Sequence, residues 1–291
     1  MRNREESMIS LNQLKIITLI SVFAVTNTTY AGHHEEGETQ SAMNKALASQ
    51  PDEVKARYMY RNPKETMSFF GIDEGMTVVE ALPGGGWYTK ILVPSLGSGG
   101  TLVGANYPTA IYRNFGADEE RIAKQKTWAT DWPAQINEEK PENSAKVSGF
   151  IMGELPASMA GTADRFLFIR ALHNLARFEQ DGGHLTTALK SAYDILKPGG
   201  IVGVVQHEAP ESASDKWASG ANGYLKRDFV IAQLEAAGFE FLASSDINAN
   251  PKDVPGEKDK VWRLPPTSDK KEMLAIGESN RMTLKFRKPT S

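Results

Sequence analysis

A glycine-rich turn carries the first chemical signal in the sequence. The segment EALPGGGWYTK begins at Glu80, which closes an apolar stretch, and places Gly84, Gly85 and Gly86 directly before an aromatic pair. Glycine adopts positive φ angles easily and leaves room for a ligand to lie against the main chain. A turn of this kind, between the first strand of an open α/β sheet and its helix, is the usual cradle for a nucleotide-like ligand.

The spacing of the turn argues against two such ligands. A P-loop requires Gly-x-x-x-x-Gly-Lys-Ser/Thr, which is absent here. A dinucleotide fingerprint needs a third glycine three residues after the second, and counting from Gly84 and Gly86 that position holds Thr89. The remaining nucleotide-binding pattern is an acidic residue followed by spaced glycines. This layout suits a nucleoside with an amino-acid tail and no phosphate.

Polar residues follow two later strands of the predicted sheet. His173 is predicted as a general base and His207 as an alternative base or metal ligand, because an imidazole with an ordinary pKa of about 6.5 accepts protons near neutrality. Arg170 suits an anionic acceptor, or an ion pair with an acid such as Glu80. Structural roles, such as helix capping by His173, are the alternatives. A metal site from these histidines and Glu208 would lack short ligand spacing, so no metal is predicted.

Alternating strand and helix signals indicate how these residues are positioned. Apolar runs and alternating patterns predict strands over 77–82, 101–105, 148–151, 165–169, 201–206, 239–245 and 281–287, with helices between most of them. This alternation predicts an α/β fold, a mainly parallel sheet with helices on both faces. Because ligands bind beyond the carboxyl ends of such strands, the turn and the polar residues are expected at one edge.

Two segments interrupt the alternation, at residues 107–145 and 248–277. Insertions at such places usually shape a substrate entrance, and surface padding is the alternative. We predict a single domain over 51–291, preceded by a polar tether over 32–50.

Residues 1–31 are predicted to be a signal peptide. Lys15 precedes the apolar run IITLISVFAV, and small residues end the segment at Ala31. Ten helical residues reach about 15 Å, half of the hydrocarbon core, which favours cleavage over a membrane span. The prediction is a periplasmic or secreted protein, with an uncleaved anchor or a buried helix as alternatives. Cleavage after Ala31 would expose Gly32-His33-His34, a terminus able to bind Cu(II) or Ni(II).

Composition limits the partners and the chemistry. A net charge of -3 over 291 residues gives no electrostatic reason to expect nucleic acid or an anionic membrane. A small-molecule partner fits better, and the sequence does not indicate an oligomeric state. The absence of cysteine excludes disulfides, thiolate catalysis and cysteine-ligated zinc.

The stretch VVEALPGGGWYTKIL resembles motif I of the class I S-adenosylmethionine-dependent methyltransferases, whose usual form is acidic-x-Gly-x-Gly-x-Gly. Glu80, Gly84 and Gly86 match this form, and Leu82 stands at the first glycine position. The phrases PGGGWYT, RNPKETMSFFGIDEGM, FIRALHNL and DILKPGGIVGVVQHEAP further resemble exported bacterial predicted methyltransferases. The resemblance covers roughly residues 52–289 and implies a Rossmann-like class I methyltransferase fold with a seven-stranded sheet.

The resemblance implies S-adenosyl-L-methionine as cofactor. The methionine part would lie on Glu80 and the turn, the ribose would meet a residue at the end of the second strand, and the adenine would lie after the third. The implied cofactor residues are Glu80, Pro83, Gly84, Gly85, Gly86, Asn106, Met152 and Gly153. Glu80 as a cap of backbone amides and Met152 as a core residue are the alternatives.

Three functions fit the sequence. The first is a methyltransferase acting on an unidentified small molecule, in which His173 or His207 removes a proton and Arg170 binds the acceptor. The second is a non-catalytic ligand-binding module on the same fold, acting in the periplasm. The third is another enzyme of this fold.

Overall fold

The computed structural model of the chain describes residues 42–290, in which seven strands form one sheet. The strands are β1 Thr77–Ala81, β2 Thr101–Asn106, β3 Lys146–Ile151, β4 Ala163–Ile169, β5 Leu196–His207, β6 Glu240–Ser245 and β7 Arg281–Arg287. Their order is β3-β2-β1-β4-β5-β7-β6, and only β7 runs antiparallel to its neighbours. The order differs from the doubly wound 3-2-1-4-5-6 arrangement by the insertion of β7. The predicted mainly parallel, seven-stranded α/β sheet is confirmed.

Helices connect the strands and cover both faces of the sheet. They are α1 (42–48), α2 Asp52–Lys55, α3 Tyr58–Arg61, α4 Pro63–Phe70, α5 Thr89–Ser95, α6 Ile111–Asn114, α7 Glu119–Lys126, α8 Trp128–Glu139, α9 Leu172–Arg177, α10 Glu179–Gly182, α11 His184–Ile195, α12 Arg227–Ala236 and α13 Lys271–Ile276. Across residues 42–290, every helix is too short or too polar to cross a bilayer.

Two hydrophobic layers sandwich the sheet. Successive side chains of a strand point to opposite faces, and Val78 and Val79 of β1 are both fully buried. Val78 packs in a layer with α4, α5 and α8, whereas Val79 packs with α9, α11 and α12. Because both faces are covered, the central strands are continuous apolar runs, which is why they are recognisable in the sequence.

Helix α8 corrects the interpretation of residues 107–145 as an insertion. Trp128 and Trp132 of α8 stack with ring centroids 5.0 Å apart and lie directly on β2. A Cβ atom at Gly104 of β2 would come within 2.4 Å of the Trp132 ring, so glycine is required for this close approach. The second half of the segment is therefore the helix that covers β2 and β3. Its sequence does not indicate a helix clearly, because it contains Pro133.

Residues 42–50 are part of the fold. Residues 42–48 are helical, and Met43, Ala46 and Leu47 are buried at helical spacing. The Gln50 side chain donates to the carbonyl oxygens of Ala46 and Lys90 at 3.0 and 2.8 Å, which ties this helix to α5. The polar tether predicted through residue 50 is therefore wrong for residues 42–50.

The predicted signal peptide, its cleavage after Ala31 and the Gly32-His33-His34 terminus lie outside the described residues.

Candidate functional site

A cavity of about 380 Å³ lies at the carboxyl edge of the sheet, over the ends of β1, β4 and β5. This is the edge at which ligands bind in doubly wound folds. Six residues predicted from the sequence line it together: Pro83, Gly84, Gly85, Arg170, His173 and His207.

The glycine turn that follows β1 is open to ligands. Gly84 and Gly86 have φ angles of 56° and 72°, which favour glycine. A Cβ atom at Gly85 would meet no other atom within 4 Å, and one at Gly84 would meet only the Leu82 carbonyl oxygen at 3.8 Å. All three glycines also line a second cavity, of about 600 Å³, bounded by α5 and α8. The main chain of the turn therefore faces free space in which a ligand can lie.

Leu82 keeps the backbone conformation of a glycine. It stands at the first glycine position of the motif and has a φ angle of 54°, a left-handed conformation that costs a non-glycine residue about 1–2 kcal/mol. Its amide donates to the Ala105 carbonyl oxygen at 2.8 Å, which holds the turn against β2. The geometry of the motif thus persists although its first glycine is replaced.

This strain predicts an unusual order of stability for two variants. Leu82→Gly removes the steric conflict, whereas Leu82→Ala retains it, and both delete the same half-buried side chain. We expect the free energy of unfolding of Leu82→Gly to be about 1 kcal/mol higher than that of Leu82→Ala. Urea denaturation measures both values. Equal stability of the two variants, or a more stable alanine variant, would show that the turn is unstrained.

Glu80 lies beneath the turn rather than on a cavity wall. It is 4% exposed and accepts a hydrogen bond of 2.6 Å from the Thr89 hydroxyl, which links the end of β1 to the start of α5. Burial raises the pKa of Glu80 to about 7, against the opposing effect of the Thr89 hydrogen bond. A cation bound above the turn would favour the ionised form of Glu80.

His173 has the geometry of a neutral base. The Gln206 side chain donates to the Gly223 carbonyl oxygen at 3.0 Å, which turns its own oxygen toward His173 Nδ1, 3.4 Å away. Nδ1 therefore carries the proton and Nε2 is free to accept one. Burial lowers the pKa of His173 to about 4, with Arg170 and Arg177 adding to the effect, so the ring is neutral at pH 7. The side chain does not cap α9.

His207 packs beside His173, with ring centroids 5.5 Å apart, and its Nδ1 lies 2.5 Å from the Ser279 hydroxyl. Burial, and then the neighbouring His173 and Arg170, lower its pKa well below the ordinary value. Glu208 is directed to Arg227, to which it binds at 2.7 and 3.1 Å. Among residues 42–290, no three histidine or acidic side chains form a group able to hold a metal ion.

The low pKa of His173 predicts a pH dependence of stability. The unfolded chain binds a proton at this residue below about pH 6.5 and the folded chain only near pH 4, so acidification over this range favours unfolding. His173→Asn should remove this contribution, which reaches about 3 kcal/mol at pH 4. Urea denaturation at several pH values between 7.5 and 4 measures how the free energy of unfolding changes with pH in the wild type and in the variant. Parallel slopes for the wild type and the variant would contradict the buried, neutral state of His173.

The cavity also carries a cluster of charged residues that the sequence does not predict. Glu278 is 3% exposed and accepts hydrogen bonds from Arg57, from Arg61 at 3.1 and 3.3 Å, and from Arg281 at 3.1 Å. Burial alone would raise the pKa of Glu278, but Arg281 and Arg61 outweigh it and hold the pKa below its ordinary value. The only local signal was the spacing of Arg57 and Arg61, which are four residues apart.

Residues 248–277 form one wall of the cavity. Trp262, Leu264 and Pro265 of this segment line it together with the turn, and the Trp262 ring lies 6.1 Å from His173, centroid to centroid. This position is the one expected of an insertion that shapes a substrate entrance.

The residues predicted to hold ribose and adenine lie apart from both cavities. The Asn106 side chain accepts from the Tyr112 hydroxyl at 3.1 Å and donates to Gln125 at 3.3 Å. Met152 is buried in the core, and the Gly153 amide donates to the Ser191 hydroxyl at 2.8 Å. The turn therefore faces free space, whereas a ribose at the end of β2 would have to replace two hydrogen bonds of Asn106.

Comparison with solved structures supports the fold. The chain matches the [4+2]-cyclase SpnF with a TM-score of 0.52 and 16% identity, over 79% of this chain and 81% of that chain. A SAM-dependent methyltransferase from Aquifex aeolicus gives a TM-score of 0.49 and 16% identity, over 86% of this chain and 98% of that chain. The strand order and the first likeness confirm the Rossmann-like class I methyltransferase fold, and at this identity they show the fold alone. No protein-family model and no curated protein matches the sequence.

Proposed function

We propose that the chain is an S-adenosylmethionine-dependent methyltransferase that acts on a small-molecule acceptor. One observation carries this proposal: a single cavity brings the glycine turn Gly84–Gly85 together with the neutral imidazole of His173. The first is the cradle that the resemblance assigns to the cofactor, and the second is a group able to take a proton from an acceptor. One fold neighbour is a cyclase, so the fold by itself does not assign methyl transfer.

The cofactor would lie along the carboxyl ends of β1, β2 and β3. The turn would hold its methionine part, and the ammonium group of that part would favour the ionised form of the buried Glu80 beneath it. Asn106 would meet the ribose after giving up its hydrogen bonds to Tyr112 and Gln125. The resemblance assigns the adenine to Met152 and Gly153, which lie apart from both cavities. When bound, the cofactor supplies a methyl group activated by its positively charged sulfur.

The remaining chemistry is assigned to side chains of the cavity. His173 Nε2 would accept the proton that the acceptor loses, and base catalysis of this kind contributes about 10²–10⁴-fold to a rate. A base with a pKa of about 4 is weak, which suits an acceptor that becomes more acidic as its new bond forms. Arg170 would position the acceptor, and Trp262, Leu264 and Pro265 would exclude water.

A ligand-binding module without turnover is the second candidate function. It is favoured by Asn106, whose amide is already engaged by Tyr112 and Gln125, and by the strained Leu82 in the turn. Such a module would bind the nucleoside but would transfer no methyl group to any acceptor.

Photolabelling tests the location of the proposed cofactor site. Ultraviolet irradiation with radiolabelled S-adenosylmethionine should label the tryptic peptide of residues 65–90, which contains the turn, and excess S-adenosylhomocysteine should prevent this. Labelling confined to other peptides, or insensitive to S-adenosylhomocysteine, would contradict the proposal.

We further propose that residues 1–31 direct export and are removed, as in the exported bacterial methyltransferases that the sequence resembles. The support is the sequence pattern, with its short apolar run and the small residue at Ala31. After expression in a Gram-negative bacterium, mass spectrometry of the protein should give an N-terminus at Gly32, in a periplasmic or secreted fraction. An intact N-terminus in the cytoplasm would contradict export.

A further inference from the structure

We infer that the cavity binds an oxyanion, and that the acceptor of the proposed methyl transfer carries a carboxylate or phosphate group held by Arg57, Arg61 and Arg170. This inference rests on the proposed function for the identity of the acceptor. The oxyanion site itself rests on the charges and hydrogen bonds of the cavity alone.

The first support is an excess of positive charge. Arg57, Arg61 and Arg170 line the cavity, and Arg281 lies directly behind them in contact with Glu278. Glu278 is the one carboxylate among the described residues that line this cavity. Three guanidinium groups bind this one carboxylate, and Arg170 has no carboxylate partner among the described residues. Three positive charges are therefore left unbalanced in a region where Arg61 and Arg281 are each 2% exposed. Buried charge of one sign is costly unless a counter-charge accompanies it.

The second support is a set of hydrogen-bond donors without partners. Nη1 of Arg61 and Nε of Arg170 are buried and make no hydrogen bond with the described residues. Buried donors in proteins are nearly always paired, so unpaired donors in two arginines that line a cavity indicate a missing acceptor. Guanidinium groups bind carboxylate and phosphate oxygens in pairs, and these two oxyanions would supply what the donors lack.

The cofactor does not supply the missing negative charge. The methionine end of S-adenosylmethionine carries one ammonium and one carboxylate, which cancel, and its sulfonium adds a further positive charge. Even with Glu80 ionised beneath the turn, cofactor binding would therefore not reduce the charge excess of the arginines. An anionic acceptor is the ligand that would balance it.

The other walls limit the acceptor in size and polarity. Trp87, Trp262 and Leu82 line the cavity beside the arginines, and the Arg61 guanidinium lies 4.4 Å from the centre of the Trp87 ring. A volume of about 380 Å³ is at the lower end of small-molecule sites. The chemical class is therefore a small molecule with an apolar body and one oxyanion group.

Calorimetric titration with inorganic phosphate and with succinate tests the inference on the full chain, at ionic strength held constant with NaCl. Both titrations are performed without and with saturating S-adenosylhomocysteine. Arg57→Gln and Arg170→Gln remove one charge each from the cluster and leave Arg61 and Arg281 to pair with Glu278. Arg113→Gln is the matched control, because its partner Glu119 is on the exposed surface.

We expect phosphate or succinate to bind both with and without S-adenosylhomocysteine. Affinity should fall at least about 10-fold in Arg57→Gln and Arg170→Gln and stay unchanged in Arg113→Gln. Competition between the anion and S-adenosylhomocysteine, with weaker S-adenosylhomocysteine binding in Arg57→Gln, would mean that the arginines hold the cofactor's own carboxylate and would overturn the inference. So would the absence of anion binding, or equal binding in all variants. Arginine-dependent anion binding without any S-adenosylhomocysteine binding would overturn the methyltransferase proposal and support the oxyanion site alone.

Discussion

Gly84→Val is expected to abolish binding of S-adenosylmethionine, with a dissociation constant raised at least about 100-fold, or about 2.7 kcal/mol. At Gly84 the main chain faces both cavities, and the nearest atom to an added Cβ is 3.8 Å away. The valine side chain would therefore occupy the space in which the methionine part of the proposed cofactor would lie. Equilibrium dialysis with labelled S-adenosylmethionine measures the loss.

Two further variants separate this effect from backbone strain. Gly161 has a φ angle of 66° and free space around its Cβ position, so Gly161→Val imposes the same strain far from the turn and should leave binding unchanged. Gly85 lies in the turn without a positive φ angle, so Gly85→Val should weaken binding with little cost in stability. Normal affinity in both turn variants would place the cofactor elsewhere.

Glu278→Gln is expected to reduce the free energy of unfolding by about 3–5 kcal/mol, because it removes one partner of a buried ion-pair cluster. Arg61 and Arg281, each 2% exposed, would keep their charges without a carboxylate between them. For a domain of this size, the loss corresponds to a melting temperature lower by about 6–20 °C, which differential scanning calorimetry measures.

Glu240→Gln is the matched control for this prediction. Glu240 also pairs with an arginine, Arg287, but both side chains are more than 40% exposed, and exposed pairs contribute about 0–1 kcal/mol. Added phosphate should raise the melting temperature of Glu278→Gln more than that of the wild type, because an oxyanion can take the place of the carboxylate. Equal melting temperatures of Glu278→Gln and Glu240→Gln would show that the cluster is not stabilised by Glu278.

The sequence was sufficient to predict the sheet and the edge of the sheet that holds the site. The central strands of the sheet are covered on both faces, so their sequences contain continuous apolar runs. The glycine turn, Arg170, His173 and His207 each follow such a run, and the carboxyl ends of neighbouring parallel strands meet in space. This is why Gly84, Gly85, Arg170, His173 and His207 line one cavity.

The charge cluster could not be predicted, because it depends on contacts between distant parts of the chain. Arg61 and Glu278 are separated by 217 residues and meet only after α3 packs beside the start of β7. Apart from the four-residue spacing of Arg57 and Arg61, neither has a local pattern that distinguishes it from a surface residue. The engagement of Asn106 by Tyr112 and Gln125 likewise depends on how the segment after β2 folds back, which periodicity does not determine.

The most direct test of the account is a calorimetric titration of the full chain with S-adenosylmethionine and with S-adenosylhomocysteine. We predict binding of both at a single site with dissociation constants below about 1 mM, and no binding of NAD⁺ under the same conditions. Failure of both nucleosides to bind at about 1 mM would contradict the assignment of the glycine turn as a cofactor site, and the methyltransferase proposal with it.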